Sequence, residues 1–299
     1  MNDPINLVGQ LIQRVVPQFR PIAPGIKAVT GVFPQGFLAI QTTREGGVSQ
    51  PPFGSFNLAG HVGDDPQALA QNRKRLEKYC ATFPVWLNQV HGIQVADLDA
   101  PRLSDGPPQT VQADAAISNQ PGRVCAILTA DCLPILVARE HSRGFAAIHA
   151  GWRGLCAGVV EQTLSAMLAR DPRPDCWSFW LGPCIGPDAF EVGAEVRRAF
   201  LEKNAAADQG FRPLADAGAK YLADLRLLAE QRIGQWFASR PHALLTIGSG
   251  REGPLHPDHQ PIRIGRSDEC TVSASQRYFS FRRERETGRM ASLITRLSI

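Results

Sequence analysis

The chain has 299 residues, long enough for one large or two ordinary domains and for a sizeable core, and its 43% apolar and 20% charged residues exclude a disordered or fibrous chain. Its net charge of +4 is spread along the chain, and the densest basic cluster, "FRRERETGR" (281–289), alternates Arg with Glu, so the one-signed face of a nucleic-acid binder is absent. The most apolar window, "VCAILTADCLPILVA", is interrupted by Asp131 and Pro134 and is too short to cross a bilayer.

In chain order, the N-terminus carries Asp3 before any basic residue and lacks both a compact apolar run and a small-residue cleavage site, so it does not read as a secretory signal. Ile5, Val8, Leu11, Ile12 and Val15 fall at helical spacing and predict a short amphipathic helix within an N-terminal extension of residues 1–36. "FLAIQTTR" (37–44) and "VWLNQVHG" (85–92) read as strands. Between them lie a Gly/Pro/Ser-rich loop and a helix that Asp65 caps and Pro66 opens.

Further strands are expected at "ADAAISN", "VCAILTA", "PILVA", "FAAIHAG" and "SFWLGP". Helices are expected at "CAGVVEQTLSAMLAR", "VGAEVRRAFLEKNAA" and "YLADLRLLAEQRIGQWFA". Strands interleaved with helices indicate an α/β protein without repeats or an obvious linker. Residues 239–264, rich in Pro, Gly and His, read as a surface excursion from a domain spanning 37–299.

Seven cysteines (80, 125, 132, 156, 176, 184 and 270) are an odd number with no C-x-x-C pair, which points to the reducing cytoplasm and to mostly buried, inert thiols. Cys132 differs from the rest in its neighbourhood. "PILVA" and "FAAI" flank the polar turn "REHSRG", a hairpin signal. A hairpin centred on that turn sets His149 opposite about Pro134, near Cys132 and away from the turn.

His91 in "NQVHG" has the same setting, a ligand-capable side chain where an apolar strand ends. Two imidazoles and one thiolate suit Zn²⁺ and leave a fourth position for water or substrate. Such a site lowers the pKa of bound water. The spacings, 41 and 17 residues, match no compact zinc motif, and a buried Cys beside hydrogen-bonded His side chains remains the competing reading.

"WLNQVHGIQV", "ADAAISN", "TADCLPILV", "AAIHAGWRG", "LGPCIGPDAFEVGAEV", "KYLADL" and "YFSFRRERETGRMASLI" together resemble the laccase-domain family. Its members are also called YfiH-type purine nucleoside phosphorylases, polyphenol oxidases or peptidoglycan editing factors. The resemblance covers about residues 37–237 and 265–299, leaving the N-terminal extension and the excursion outside it. It implies a single domain with mixed β-sheets between helical layers, an α/β/β/α arrangement. It also implies a metal held by His91, Cys132 and His149. The activities it implies are phosphorolysis of adenosine, inosine, guanosine and methylthioadenosine, and deamination of adenosine, with purine nucleoside and phosphate as partners. It leaves the oligomeric state open.

Phosphorolysis needs a cationic cradle for phosphate, and Arg44, Arg153 and Lys220 are candidates, with Arg suited to bidentate contact. Asp131, beside Cys132, is a candidate to orient a ligand histidine or shuttle a proton. Asn57 and Gln89 are candidates to meet purine or ribose. Cys184 in "GPCIGP" is expected to pack, and "HPDH" (256–259) has ligand spacing but sits in a Pro-rich loop. A multicopper cluster needs many histidines in H-x-H pairs, whereas this chain has seven histidines and no H-x-H. A single copper at the zinc site stays open, since Cu²⁺ outbinds Zn²⁺ at comparable ligands. So does a metal-independent hydrolase of peptidoglycan precursors, with Cys132 as nucleophile and His149 as base.

Overall fold

Strands from the middle of the chain are apolar on both faces, so each sheet they join must be covered twice. The structure, a computed structural model, describes residues 11–80, 82–100, 111–215, 218–244 and 261–298. In its first part lie β1 (Ile12–Val15), β2 (Gln18–Ala23), β3 (Ile26–Thr30), β4 (Phe37–Thr42), α1 (Pro66–Glu77), β5 (Leu87–Asn88), β6 (Val95–Asp97) and β7 (Val111–Gln112). The middle holds β8 (Ala115–Ser118), β9 (Val124–Thr129), β10 (Leu133–Arg139), β11 (Phe145–Ala150), α2 (Trp152–Ala157), α3 (Val159–Arg170) and β12 (Trp177–Leu181). There follow β13 (Glu191–Gly193), α4 (Ala194–Leu201), β14 (Phe211–Pro213), β15 (Lys220–Ala223), α5 (Leu225–Ala238), β16 (Ile262–Arg266), α6 (Phe281–Glu284) and β17 (Met290–Arg296).

Two large sheets stack on each other. One is mixed, in the order β1-β16-β12-β10-β11-β8-β6, and the other is antiparallel, in the order β2-β3-β4-β17-β9. Strand alternation assigns the faces. Along β10, Leu133, Ile135 and Val137 join the core under α2, α3, α4 and α5, while Leu136 and Ala138 join the core between the sheets. There they meet Ala39, Cys125, Ile127 and Ile294 of the antiparallel sheet. The outer face of that sheet, with Ile40, Ala126 and Leu293, packs on Leu76 of α1 and on the 56–59 loop. The layers run helix, sheet, sheet, helix, as the family resemblance implies. The described helices include none long and apolar enough to cross a membrane.

Local signals hold where partners are close in sequence. Asp65 caps α1, its carboxylate accepting the N–H of Gln67 and Ala68 at 3.1 and 3.3 Å, with Pro66 at the first position. The β10–β11 hairpin pairs Pro134 with His149.

The N-terminal helix is a correction. Ile5 and Val8 lie outside the described residues, but Leu11 is in a turn and Ile12 and Val15 belong to β1, parallel to β16. Pro17 blocks helix continuation. Gly25, at φ 74°, then turns β2 back on β3, where a Cβ would lie 1.8 Å from the Glu45 carbonyl oxygen. The extension therefore supplies strands to both sheets. The far end of the presumed surface excursion is likewise β16, with Ile262 and Ile264 buried between β1 and β12.

Candidate metal centre

The chain crosses from the antiparallel sheet to the mixed one in three residues, Ala130, Asp131 and Cys132, between β9 and β10. Cys132 therefore stands at the rim of the space between the sheets. His149, on β11, shares the parity of Phe145 and Ala147, which point into that space. His91 follows β5 at φ 59°, a left-handed conformation that a non-glycine residue adopts only when held. Its holder is Asp114, just before β8, whose carboxylate accepts the backbone N–H of Val90, His91 and Gly92 at 3.2, 2.9 and 2.7 Å.

The ligand atoms of His91, Cys132 and His149 lie within 4.8 Å of one another. The two imidazole rings are 4.8 Å apart at an angle of 61°. His149 is buried, Cys132 partly buried and His91 exposed, so the cluster opens to solvent on the His91 side. Asp114, 0% exposed, also accepts the Nδ1–H of His149 at 2.8 Å. Burial pushes the Asp114 carboxyl up, but hydrogen bonds from His149 and Gly92 outweigh it and hold the group ionised below its ordinary range. An ionised carboxylate only accepts, so Nδ1 keeps its proton and Nε2 is the nitrogen turned toward the cluster, free to ligate once it is deprotonated.

Gly151, between β11 and α2, is required by close approach: a Cβ would fall 2.5 Å from His91 Nδ1 and 3.1 Å from Cys132 Sγ. Before any metal binds, the donors form an ion pair. Burial pushes the Cys132 thiol up and the His149 imidazole down, but their mutual attraction, with the hydrogen bonds around them, lowers the thiol and raises the imidazole. The donor set fits zinc, with two imidazoles, a readily ionised thiol and an oriented Nε2.

The other sequence candidates are placed as follows. Asp131, at φ 92°, spends its carboxylate on the Thr271 hydroxyl and the Arg282 backbone N–H, both at 2.6 Å. The orienting acid on His149 is Asp114 instead. Arg44 pairs with Glu284 at 2.7 Å and lies over the Phe279 ring. Lys220 pairs with Glu191 at 2.6 Å.

Buried Asn57 donates to Ala59 O and Asp64 and accepts from the N–H of Ala59 and Arg289. Gln89 clamps the Leu128 backbone through both side-chain atoms, at 2.8 and 2.7 Å. These two amides support the site's scaffold. Arg153 is exposed on α2, lies 4.4 Å over the Trp152 ring, and meets no acceptor among the described residues. Cys184 is buried, and burial pushes its thiol up to about 12. His256 and His259 lie outside the described residues.

Sequence reasoning missed Asp114 and Arg289. An acid flanked by alanines at the head of a buried strand is a signal for Asp114, because such a carboxylate must find donors. Arg289 is half-buried beside Cys132 and Asp131, the anions that partly offset its desolvation.

The family model described as multi-copper polyphenol oxidoreductase laccase matches residues 38–239 and 258–297. Purine nucleoside phosphorylase YfiH of Escherichia coli strain K12 is 44% identical over 263 residues, 87% of this chain and 94% of that protein. Purine nucleoside phosphorylase PA4543 of Pseudomonas aeruginosa is 42% identical over 256 residues, 86% and 92% of the two chains. Among solved structures, Neisseria meningitidis NMB0706, of the DUF152 family, superposes with a TM-score of 0.74 at 34% identity, covering 92% of this chain and all of its own. The hypothetical protein YfiH of Bacillus licheniformis gives a TM-score of 0.76 at 25% identity, over 94% and 99% of the chains. Among the described residues there is one three-donor cluster, a mononuclear set despite the plural copper of the family description. By sequence match, shared fold and extent of coverage, the chain belongs to the multi-copper polyphenol oxidoreductase laccase family.

Proposed function

We propose that the chain is a cytoplasmic zinc enzyme of purine nucleosides. It performs phosphorolysis of adenosine, inosine, guanosine and methylthioadenosine, and deamination of adenosine to inosine. The observation that carries this reading is the His91–Cys132–His149 cluster, open on one side, with His149 held in a single tautomer by Asp114. Relatives named purine nucleoside phosphorylase support the substrate class.

Zinc in a three-ligand site supplies Lewis acidity and an exchangeable fourth position. The protein's own part is orientation and access. Asp114 fixes both the His149 ring and the His91 backbone, Gly151 leaves room beside them, and exposed His91 marks the side from which a nucleoside enters. Arg153, on the turn of helix that follows Gly151, offers an exposed cation to an anionic co-substrate.

The test is metal analysis of the purified chain, followed by adenosine turnover with and without phosphate and identification of inosine, adenine and hypoxanthine. About one zinc per chain is expected from a four-coordinate site with three protein ligands. Normal turnover by a metal-free preparation overturns the reading, and copper in place of zinc corrects the metal.

A second reading rests on the same side chains. Cys132, His149 and Asp114 form a thiol–imidazole–carboxylate series, the arrangement of a cysteine nucleophile with an oriented base. It favours an acyl or amide substrate such as a peptidoglycan precursor. A covalent acyl intermediate on Cys132 in metal-free protein decides for it.

A further inference from the structure

Arg44 and Lys220 are neutralised by Glu284 and Glu191, which leaves exposed Arg153, and a phosphate cradle takes more than one cation. Arg289 stands where one is required. In the antiparallel pairing of β17 with β9, Met290 lies opposite Thr129, which sets Arg289 across from the link that carries Asp131 and Cys132. Its backbone is fixed on both sides: its N–H donates to Asn57 Oδ1 at 3.0 Å, and its carbonyl accepts the Leu58 N–H at 3.3 Å.

The guanidinium is half committed. Nη1 donates to Thr287 O and Gly288 O at 2.8 and 3.0 Å. Among the described residues, Nε and Nη2 have no protein acceptor, no carboxylate lies within ion-pair distance, and neither nitrogen is sealed from solvent. The Nε/Nη2 edge is the fork that receives two oxygens of a phosphate at once. Two further basic side chains stand close by. Arg73 grips Leu58 O through Nε and Nη2, and His61 is held below its ordinary range by burial and by the charges of Arg289 and Arg73. With Asp131 and Cys132 as its nearest anions, neither paired with it, the guanidinium is pre-oriented and partly desolvated and keeps one edge for an anionic ligand.

We propose that the Nε/Nη2 edge of Arg289 binds the inorganic phosphate consumed in phosphorolysis, beside the metal cluster. This rests on the phosphorolytic reading above. In that reaction a phosphate oxygen forms a bond to the anomeric carbon, and the bond from that carbon to the purine nitrogen breaks. The electron pair leaves with the nitrogen, which takes a proton from solvent. Arg289 positions the phosphate and exchanges no proton.

The experiment uses the full metal-loaded chain and its Arg289→Met and Arg289→Lys variants. Inorganic phosphate binding is followed by calorimetry, and the KM values for phosphate and nucleoside are measured separately. Losing two charge-assisted hydrogen bonds is expected to weaken phosphate binding by about a hundredfold or more in Arg289→Met and to raise the phosphate KM by the same factor. Nucleoside KM should move less than about twofold, and Arg289→Lys, a point charge without the fork, should fall between. Zinc content and melting temperature identify a variant that merely misfolds, and Arg289→Lys then carries the comparison.

Unchanged phosphate affinity in Arg289→Met, or a wild-type chain that binds no phosphate, overturns the proposal. A wild-type chain that binds phosphate through Arg289 yet turns over no nucleoside overturns the phosphorolytic reading alone.

Discussion

Asp114 and His149 are joined by a 2.8 Å hydrogen bond from Nδ1 to Oδ1, inside a carboxylate that also holds the backbone of Val90, His91 and Gly92. One buried acid therefore fixes the ring of one candidate ligand and the main chain of another. The two imidazoles are coupled through a residue that binds no metal itself. Its four donors neutralise the cost of burying the charge, which is why a fully buried aspartate is tolerated there.

Replacing Asp114 with Asn tests that coupling. The amide keeps the shape but offers one acceptor oxygen, and its NH₂ faces N–H donors. Zinc affinity, measured by chelator competition, should drop by about ten- to a hundredfold. Stability in urea should fall by about 1.5–3 kcal/mol, the range for a hydrogen bond to a charged group. An affinity equal to wild type would mean that packing alone orients His149.

Gly151→Ala separates the site from the fold. The backbone at φ −65° and ψ 155° suits alanine, so the chain itself is not strained. The added methyl instead meets His91 Nδ1 and Cys132 Sγ. The variant should fold with wild-type circular dichroism and lose about a hundredfold in zinc affinity, the upper end of what displaced ligand support costs. Full zinc occupancy after gel filtration would show that His91 can swing away at no expense.

What could be read from sequence depended on how far away each partner lies. The Pro134–His149 pairing follows from a short turn between two apolar runs, so Cys132 and His149 could be set together without a structure. Asp114 could not be assigned because its donors come from 22 to 24 residues earlier and from β11. The residue types of Arg44, Asn57, Gln89 and Lys220 gave their capacity for binding. Glu284, the Arg289 backbone, Leu128 and Glu191 decided how that capacity is used. β1 carries apolar residues at helical spacing, and only β16, about 250 residues later in the pairing register, makes it a strand.

Asp175→Ala should be costly at the opposite end of the β10–β11 hairpin. Asp175 is 0% exposed and accepts the backbone N–H of His141 and Ser142, both at 2.8 Å. It also lies 3.4 Å from the Nε of Arg139, whose guanidinium is 1% exposed over the Trp177 ring. Removing it leaves a buried cation without its counter-charge, which costs about 3–5 kcal/mol. Denaturant unfolding measures the loss, and a change under about 1 kcal/mol, the scale of an exposed ion pair, would show Arg139 satisfied by carbonyls alone.

The thiol of Cys132 offers the sharpest test of the cluster's electrostatics in protein stripped of metal by a chelator. Burial opposes its ionisation, but the charge and hydrogen bonds of His149, with those of His91, bring it down to about 6, while His149 rises to about 9. A lowered thiol pKa contributes stability above its unfolded value and loses it as pH falls through about 6. A raised imidazole pKa contributes below its unfolded value and loses it as pH rises through about 9. The pair's two proton losses, near 6 and near 9, nearly coincide with the ordinary imidazole and thiol values of the unfolded chain, about 6.5 and 8.5, so the two contributions trade off and the stability of the stripped protein should change little with pH across this window.

Alkylation of Cys132 by iodoacetamide, followed on its own peptide by mass spectrometry, should show a midpoint near 6 where a free thiol shows about 8.5, and bound zinc should suppress the rate. Cys80 and Cys184, pushed up to about 12 by burial, should stay unmodified at neutral pH. A Cys132 midpoint near the free-thiol value would mean that His149 carries no proton against it. The metal-independent reading would then lose its activated nucleophile, and the cluster would keep only its role as a ligand set.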